Sequence, residues 1–155
     1  MAYWLLKSEP DEFGIDDLEQ NGCEMWDGVR NYQARNFMRE MKVGDMAFLY
    51  HSSCKNVGIA GVMRIEKEGY PDPTAEDPSN PHFDKKQPKE NRWTAVDVKF
   101  VEKFHRVFSL KEVKELAAKD ERLKDLMLVS QSRLSVMPIT QGEWFCLIEA
   151  ISMMD

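Results

Sequence analysis

The chain has 155 residues and is 43% hydrophobic, which suits one domain, residues 1–155, with a core of its own. Its formal net charge of −6 excludes a protein that holds nucleic acid through a general excess of Lys and Arg, so such binding would need a local basic patch and a pocket. No apolar run is long enough to span a bilayer, and no membrane partner is expected.

The first part of the chain predicts one strand and two helices. Residues 3–7 predict a short buried strand, and residues 15–19 predict a brief helix. A second helix is predicted to begin near Tyr32, because apolar residues recur at helical spacing from Ala34 to Met41. Gly44 is expected to end this helix as a left-handed cap.

The middle of the chain predicts three strands and one long irregular segment. The strands are predicted over 46–51, 57–66 and 93–104 from their aliphatic and alternating residues. Between the last two strands, residues 67–92 contain five prolines and show no sustained period. An irregular segment of this length inside a domain is often functional or mobile.

The last part of the chain predicts helices that follow capping boxes. Ser109 and Glu112 have capping-box spacing and predict a helix, with a further helical turn near 122–127. Residues 134–137 are expected to be extended. Thr140 and Glu143 repeat the capping-box spacing, although the aromatic and β-branched residues that follow suit a closing strand about as well.

Strands and helices mix in this order without a strict alternation, which favours an α+β fold. Several short strands in one small domain must close or be covered to hide their edges. We therefore expect strands curled into a small barrel-like sheet, with helices packed at its ends.

The segment WDGVRNYQARNFM, residues 26–38, carries the clearest functional signal. Trp26 and Tyr32 offer aromatic faces that can stack on a base, and the Asn31 amide can both donate to and accept from a base edge. Arg30 and Arg35 are suited to neighbouring phosphates, as are Arg39 and Lys55 elsewhere. The structural alternative is that Trp26 belongs to the core and Asn31 only caps the helix.

The segment Tyr50-His51-Ser52-Ser53-Cys54 follows a predicted strand, where sites are often built. His51 could donate a hydrogen bond to a base or a phosphate, or serve only the structure. A catalytic alternative would use Cys54 as nucleophile and His51 as base. Neither a glycine-rich turn nor a third catalytic residue accompanies them, so we expect no thiol catalysis.

Two further polar segments are candidates for the same site. Ser8, after the first strand, could donate to a ligand carbonyl or only form a turn with Pro10. The loop over 130–135 could clasp a phosphate or a base edge through Arg133, or only connect two elements.

The cysteines and histidines bear on compartment and metal binding. Three widely spaced cysteines argue against a disulfide framework and a zinc knuckle, and no signal peptide is recognisable. A soluble protein of the reducing cytoplasm is therefore expected. His82 and His105 are isolated, and neither a metal nor a cofactor is expected.

Motifs along nearly the whole chain resemble the EVE domain family, a branch of the PUA-like superfamily. They are YWLLKSEP, WDGVRNYQARNFMREMKVGD, FLYHSSC, IAGVMRIEKEGYPDPTA, WTAVDVKF and RLSVMPIT, in the family's order. The combination is far more specific than any one motif.

The resemblance implies a PUA-like fold, a curved β-barrel of mixed strands flanked by helices. It also implies a pocket for a flipped, modified base, since EVE domains are associated with modified cytosine in DNA and with modified RNA bases. The related YTH branch binds a methylated adenine in an aromatic cage. The residues carried over onto this base pocket are Ser8, Trp26, Val29, Asn31, Tyr32, Tyr50, His51, Arg133, Leu134 and Ser135. Trp93 is left open, either as a second aromatic wall or as a core residue.

The sequence therefore predicts a non-enzymatic module that binds DNA or RNA carrying a modified base. One alternative is a hydrolase that acts on a modified nucleoside or nucleotide. The other is a protein-interaction adaptor with a vestigial pocket. A monomer is favoured, although nothing in the sequence fixes the oligomeric state.

Overall fold

A computed structural model describes all residues from 1 to 155 and contains one six-stranded mixed sheet. Its strands are β1 (Tyr3–Ser8), β2 (Cys23–Trp26), β3 (Met46–His51), β4 (Gly58–Pro71), β5 (Thr94–Ser109) and β6 (Val136–Ile139). The spatial order is β2-β5-β4-β3-β1-β6. Strands β1 and β3 run parallel, and the other neighbouring pairs are antiparallel.

Five α-helices and two 3₁₀ turns flank this sheet. The helices are α1 (Ile15–Asn21), α2 (Tyr32–Glu40), α3 (Leu110–Lys119), α4 (Met127–Ser130) and α5 (Gln141–Ser152), and the 3₁₀ turns cover Pro73–Glu76 and Glu121–Leu123. The expected α+β fold is confirmed. No helix is both long and apolar enough to cross a membrane.

The pair β4 and β5 gives the sheet its curvature. Both strands are long, and their register shifts at several positions, as it does where bulges bend and twist a strand pair. Gly61 lies in this pair so close to the carbonyl of Glu102 that a Cβ atom there would clash. The bulged and glycine-bearing pair provides the bend that a curved, barrel-like sheet requires.

Burial of one face of the sheet against the helices creates the core. The core is one cluster of 35 buried hydrophobic residues. Helix α5 closes it through Trp144, which stacks on Phe48 at 4.0 Å and on Tyr3 at 4.6 Å between ring centroids. The segment for which helix and strand were open alternatives is therefore a helix, and Thr140 and Glu143 form its capping box.

Two details differ from the sequence-based expectations. Helix α2 ends at Glu40, where Met41 turns extended with its side chain fully buried, so Gly44 is not the helix cap. Gly44 instead takes a positive φ of 92° in the turn before β3. Strand β2 was not predicted, because its four residues lack a pattern and are held by pairing with β5, about seventy positions further along the chain.

Candidate functional site

Three segments that are distant in sequence meet where β1 and β3 end. The parallel register places Lys7 opposite Tyr50 and Ser8 opposite His51. The backbone N–H of Lys7 donates to the carbonyl of Ser135 at 2.9 Å, which brings the 131–135 loop to the same strand ends. Side chains from all three segments therefore surround one end of the sheet.

The start of α2 joins this group through the same loop. The Gln33 amide donates to the Gln131 side chain at 3.2 Å. Arg133 is exposed, whereas Leu134 is buried and anchors the loop to the core. The structure thus places Asn31 and Tyr32, at the beginning of α2, beside the loop that carries Arg133.

Trp26 belongs to the core, but one atom of it reaches the surface. Its side chain is only 6% exposed and packs edge-on against Phe13, with 6.0 Å between ring centroids. No side-chain nitrogen or oxygen that is sealed from solvent lacks a hydrogen-bond partner, and the Trp26 indole N–H makes no bond within the protein. This N–H is therefore accessible to a ligand. Val29 is buried beside the same segment.

Asn31 and Tyr32 combine a structural role with exposed groups. The Asn31 side-chain oxygen accepts the Ala34 N–H at 2.9 Å and caps α2, which leaves its amide N–H groups free. Tyr32 is 52% exposed and stacks on Trp93 at 5.0 Å, while the Arg35 guanidinium lies 4.8 Å from its ring centroid. Trp93 and Arg35 thus cover the faces of the Tyr32 ring, and mainly its edge is exposed.

Trp93 is the support beneath Tyr32. It is 6% exposed, and its indole N–H donates to Asp84 at 3.0 Å. Arg92 pairs with the same carboxylate at 2.8 Å and also donates to the Tyr32 hydroxyl at 3.0 Å. Trp93 is thus a core residue at the end of the long segment, with Tyr32 covering it.

Arg30 is bound within the protein, which corrects the expectation that it contacts a phosphate. It forms an ion pair of 2.9 Å with Asp72, whose side chain is completely buried. Its remaining N–H groups donate to the Val29 and His82 carbonyls and to the Thr74 hydroxyl. All five guanidinium N–H groups are therefore occupied, and none remains for a ligand.

Ser8 and His51 hold the turn between β1 and α1. The Ser8 hydroxyl donates to the Phe13 carbonyl, and His51 Nε2 accepts the Ile15 N–H at 3.1 Å. Burial lowers the pKa of His51, against the opposing effect of nearby Asp16 and Asp17. The Nε2 atom is therefore unavailable as a base for Cys54, and Ser8 has already committed its hydroxyl proton.

Tyr50 lines the strand end as a buried aromatic residue. Its side chain is 3% exposed, and burial raises its pKa to about 12, so its hydroxyl stays protonated. This hydroxyl makes no hydrogen bond within the protein and is not sealed from solvent. Like the Trp26 N–H, it can donate to a ligand.

The arginines separate into two groups. Arg30, Arg64, Arg92, Arg106 and Arg122 each pair with a carboxylate. The remaining three arginines, Arg35, Arg39 and Arg133, have no carboxylate partner, and all three lie among the predicted site residues. In a chain of net charge −6, three arginines thus carry a charge that no carboxylate of the protein pairs with.

The positive charges on α2 are close enough to affect one another. Partial burial lowers the pKa of Arg35, and the neighbouring Arg39 and Arg92 add to this effect. Arg35 and Arg39 both donate to the Arg92 carbonyl, at 3.1 and 3.3 Å. Lys55 is exposed in the loop after β3 and also lacks an ion-pair partner. An anion near α2 would relieve this repulsion.

Sequence reasoning missed the residues that support the site from the long segment. Asp72 binds Arg30 and Arg92 binds Tyr32, across 42 and 60 positions, and Asp84 holds Arg92. No spacing rule links such partners, and only the richness of the segment in Pro and Asp hinted at an ordered structure. The segment also encloses a cavity of about 170 Å³ between Ala75, Phe83 and Asn91, which none of the predicted pocket residues lines.

Comparisons with known proteins agree on one family. The EVE domain family matches residues 2–150. Thymocyte nuclear protein 1 of Gallus gallus is 48% identical over 92% of this chain and 66% of that protein, and the human protein is 45% identical over 92% and 71%. The chain thus spans about two thirds of the length of these curated relatives.

Solved structures give the same result. Human THYN1 in complex with 5-methylcytosine-containing DNA superposes with a TM-score of 0.95 at 40% identity, with 100% of both chains covered. A protein of Pseudomonas syringae superposes with a TM-score of 0.91 at 50% identity, covering 97% of this chain and 99% of that one. By sequence and by structure, the chain belongs to the EVE domain family.

Proposed function

We propose that this protein is a non-enzymatic reader of a modified nucleobase, with 5-methylcytosine in DNA as the first candidate. The observation that carries the proposal is that the three arginines without a carboxylate partner, Arg35, Arg39 and Arg133, all belong to α2 or to the 131–135 loop, which the Gln33–Gln131 hydrogen bond joins. The complex of human THYN1 with 5-methylcytosine-containing DNA supplies the choice of base.

The proposal divides the site into a pocket and a rim. The pocket offers three unused donors, the Trp26 indole N–H, the Tyr50 hydroxyl and the Asn31 amide, which can bind the edge of a base. On the rim, Arg35, Arg39 and Arg133 would bind phosphates, together with Lys55. A flipped base must overcome an unstacking cost of a few kcal/mol, so the pocket contacts should determine discrimination.

The test is a titration of short strands that contain either one 5-methylcytosine or an unmodified cytosine, at two salt concentrations. Trp26→Phe keeps an aromatic ring in the core but removes the N–H, and we expect it to reduce the preference for the modified strand. Arg35→Ala should weaken the binding of both strands by the same factor and reduce the salt dependence of that binding. Arg64→Ala is the matched control, since Arg64 pairs with Glu66 and lies at the Met46 end of β3, away from the site.

Two outcomes would contradict the proposal. If the wild-type protein binds modified and unmodified strands equally, it is not a reader of this modification. If Arg35→Ala loses the preference while Trp26→Phe keeps it, the roles of pocket and rim are reversed.

RNA carrying a modified base is the second candidate ligand, and the same titration with matched RNA strands compares the two. The proposal treats residues 1–155 as one domain that acts as a monomer. It places the protein in the reducing cytoplasm, where Cys23, Cys54 and Cys146, all free in the structure, stay reduced.

Catalysis has less support than binding. The His51 Nε2 atom that would accept the Cys54 proton already accepts the Ile15 N–H. We expect Cys54→Ser to leave strand binding unchanged. Turnover of a modified nucleotide that this substitution abolishes would show that the protein is an enzyme.

A further inference from the structure

Lys7 is a partly buried cation without an acidic partner. Its ammonium donates to the Ser132 carbonyl at 2.9 Å and lies 5.4 Å from the centroid of the Tyr50 ring. No carboxylate lies within ion-pair distance, whereas Lys42 and Lys103, elsewhere on the surface, each have one. The immediate surroundings of Lys7 are thus a carbonyl and an aromatic face.

Such surroundings compensate a cation only in part. Moving an ammonium out of water is costly unless an opposite charge replaces the lost hydration, and burial accordingly lowers the pKa of Lys7. A carbonyl dipole and the electron-rich face of an aromatic ring are attractive but carry no net charge. An ammonium has three donors, and the protein uses one of them.

The position of Lys7 relates this unused charge to the site. Lys7 lies opposite Tyr50 at the parallel strand ends, and its backbone N–H binds Ser135. The backbone thus holds the side chain at the junction of β1, β3 and the 131–135 loop. Arg133 in the same loop is also without an ion-pair partner, and the acidic residues that follow β1, Glu9, Asp11 and Glu12, form no ion pair with either cation.

We propose that Lys7 binds the phosphate of the nucleotide whose base enters the pocket. The inference rests on the proposed function and extends it by naming the residue that receives this phosphate. A compact ammonium binds phosphate as a point charge, and an approaching phosphate would supply the opposite charge that the protein omits. The free donors of Lys7 would then be used without disturbing its bond to Ser132.

The experiment compares Lys7→Gln, Lys7→Arg and the control Lys42→Gln. Glutamine retains an N–H for the Ser132 carbonyl but removes the charge, and thermal unfolding checks that each variant is folded. Lys42 lies beyond α2 near the opposite end of β3 and is mostly exposed. The probes are strands with one 5-methylcytosine or an unmodified cytosine, over a series of salt concentrations, together with 5-methyldeoxycytidine and its 5′-monophosphate.

We expect Lys7→Gln to reduce the affinity for both strands about tenfold at low salt. It should also lower the steepness of the plot of log affinity against log salt by about 1, as the loss of one phosphate contact does. The ratio of modified to unmodified affinity should stay the same. The wild type should bind the monophosphate more tightly than the nucleoside, and Lys7→Gln should lose this difference. Lys7→Arg and Lys42→Gln should resemble the wild type.

Other outcomes overturn the inference and remain distinct from failure of the reader assignment. An unchanged salt slope in Lys7→Gln shows that Lys7 contacts no phosphate. A loss of base preference at constant slope shows that it contacts the base instead. A wild type that binds both strands equally refutes base reading, but the salt slope still tests Lys7, and a wild type that binds no strand refutes both.

Discussion

At the scale of single residues, the candidate site contains two kinds of side chain. Some have all their hydrogen bonds and ion pairs within the protein, and others are charged groups without an ion-pair partner. Arg30 has every donor occupied, and His51 accepts a backbone N–H. Arg35 and Lys7, in contrast, have no carboxylate partner, although the chain has more acidic than basic residues. The first group maintains the structure, and the second is available to a ligand.

Arg30→Gln is expected to destabilise the fold by about 3 kcal/mol, because it leaves the buried Asp72 carboxylate without its counter-charge. Three other hydrogen bonds, from the Gly28 and Thr74 N–H groups and the Thr74 hydroxyl, still reach Asp72 and keep the cost at the low end for a buried pair. Chemical denaturation measures the loss. Arg64→Gln, which breaks a half-exposed pair, should cost less than 1 kcal/mol, and an equal loss in both variants would contradict the assignment.

His51 predicts a pH dependence of stability. Its pKa in the folded state is lowered, so the folded protein favours the neutral ring. The contribution of neutral His51 to the free energy of unfolding is therefore fully present above the ordinary histidine pKa of about 6.5. It is lost as the pH falls from about 6.5 through the lowered value, since protonation of Nε2 removes the acceptor for the Ile15 N–H. Between pH 7.5 and 5, the unfolding free energy of the wild type should therefore fall more than that of His51→Gln. His105→Gln, at an exposed position, should follow the wild type, and identical pH profiles of the wild type and His51→Gln would disprove the prediction.

At the scale of elements, local capping places the helices, and sheet pairing places the strands. Asn31 caps α2, and capping boxes start α3 and α5. Such signals lie within four residues and are therefore visible in the sequence. Strand β2 pairs with β5 alone, and the end of α2 depends on the burial of Met41, so neither was visible in the sequence.

The capping box of α3 gives a prediction at this scale. Ser109→Ala removes the acceptor for the Glu112 N–H and should lower the free energy of unfolding by about 1 kcal/mol. Ser132→Ala is the control, an exposed serine outside any helix that contributes only its backbone carbonyl to Lys7. Thermal or chemical denaturation that finds the two variants equally stable would refute the role of the cap.

At the scale of the whole molecule, the protein is acidic, yet four cations, Lys7, Arg35, Arg39 and Arg133, have no ion-pair partner. The ends of β1 and β3 meet the 131–135 loop, and the first turn of α2 joins this loop through Gln33 and Gln131. The acidic residues elsewhere disfavour binding along a long unmodified duplex. Selective recognition at one position is therefore expected rather than coating of a strand.

Ligand binding should stabilise the whole fold. A strand with 5-methylcytosine at about 100 times its dissociation constant adds about 2.7 kcal/mol to the free energy of unfolding. For a domain of this size, that corresponds to a rise in Tm of roughly 5–10 °C. The unmodified strand at the same concentration should give a smaller shift, which differential scanning fluorimetry can measure. Equal shifts for both strands would contradict base recognition.

The sequence by itself determined the α+β class, most helix and strand positions and the segments that form the site, because caps, periodicity and family motifs are local or linear signals. Only the tertiary structure decided which side chains remain available. Arg30 and Arg35 look alike in the sequence, but Arg30 forms an ion pair with Asp72, whereas Arg35 forms none. Likewise, Trp93 stacks on Tyr32 across 61 positions, and Lys7 donates to the Ser132 carbonyl across 125 positions. Availability for a ligand depends on such distant partners, since an ion pair is made by whatever group the fold brings within a few ångströms.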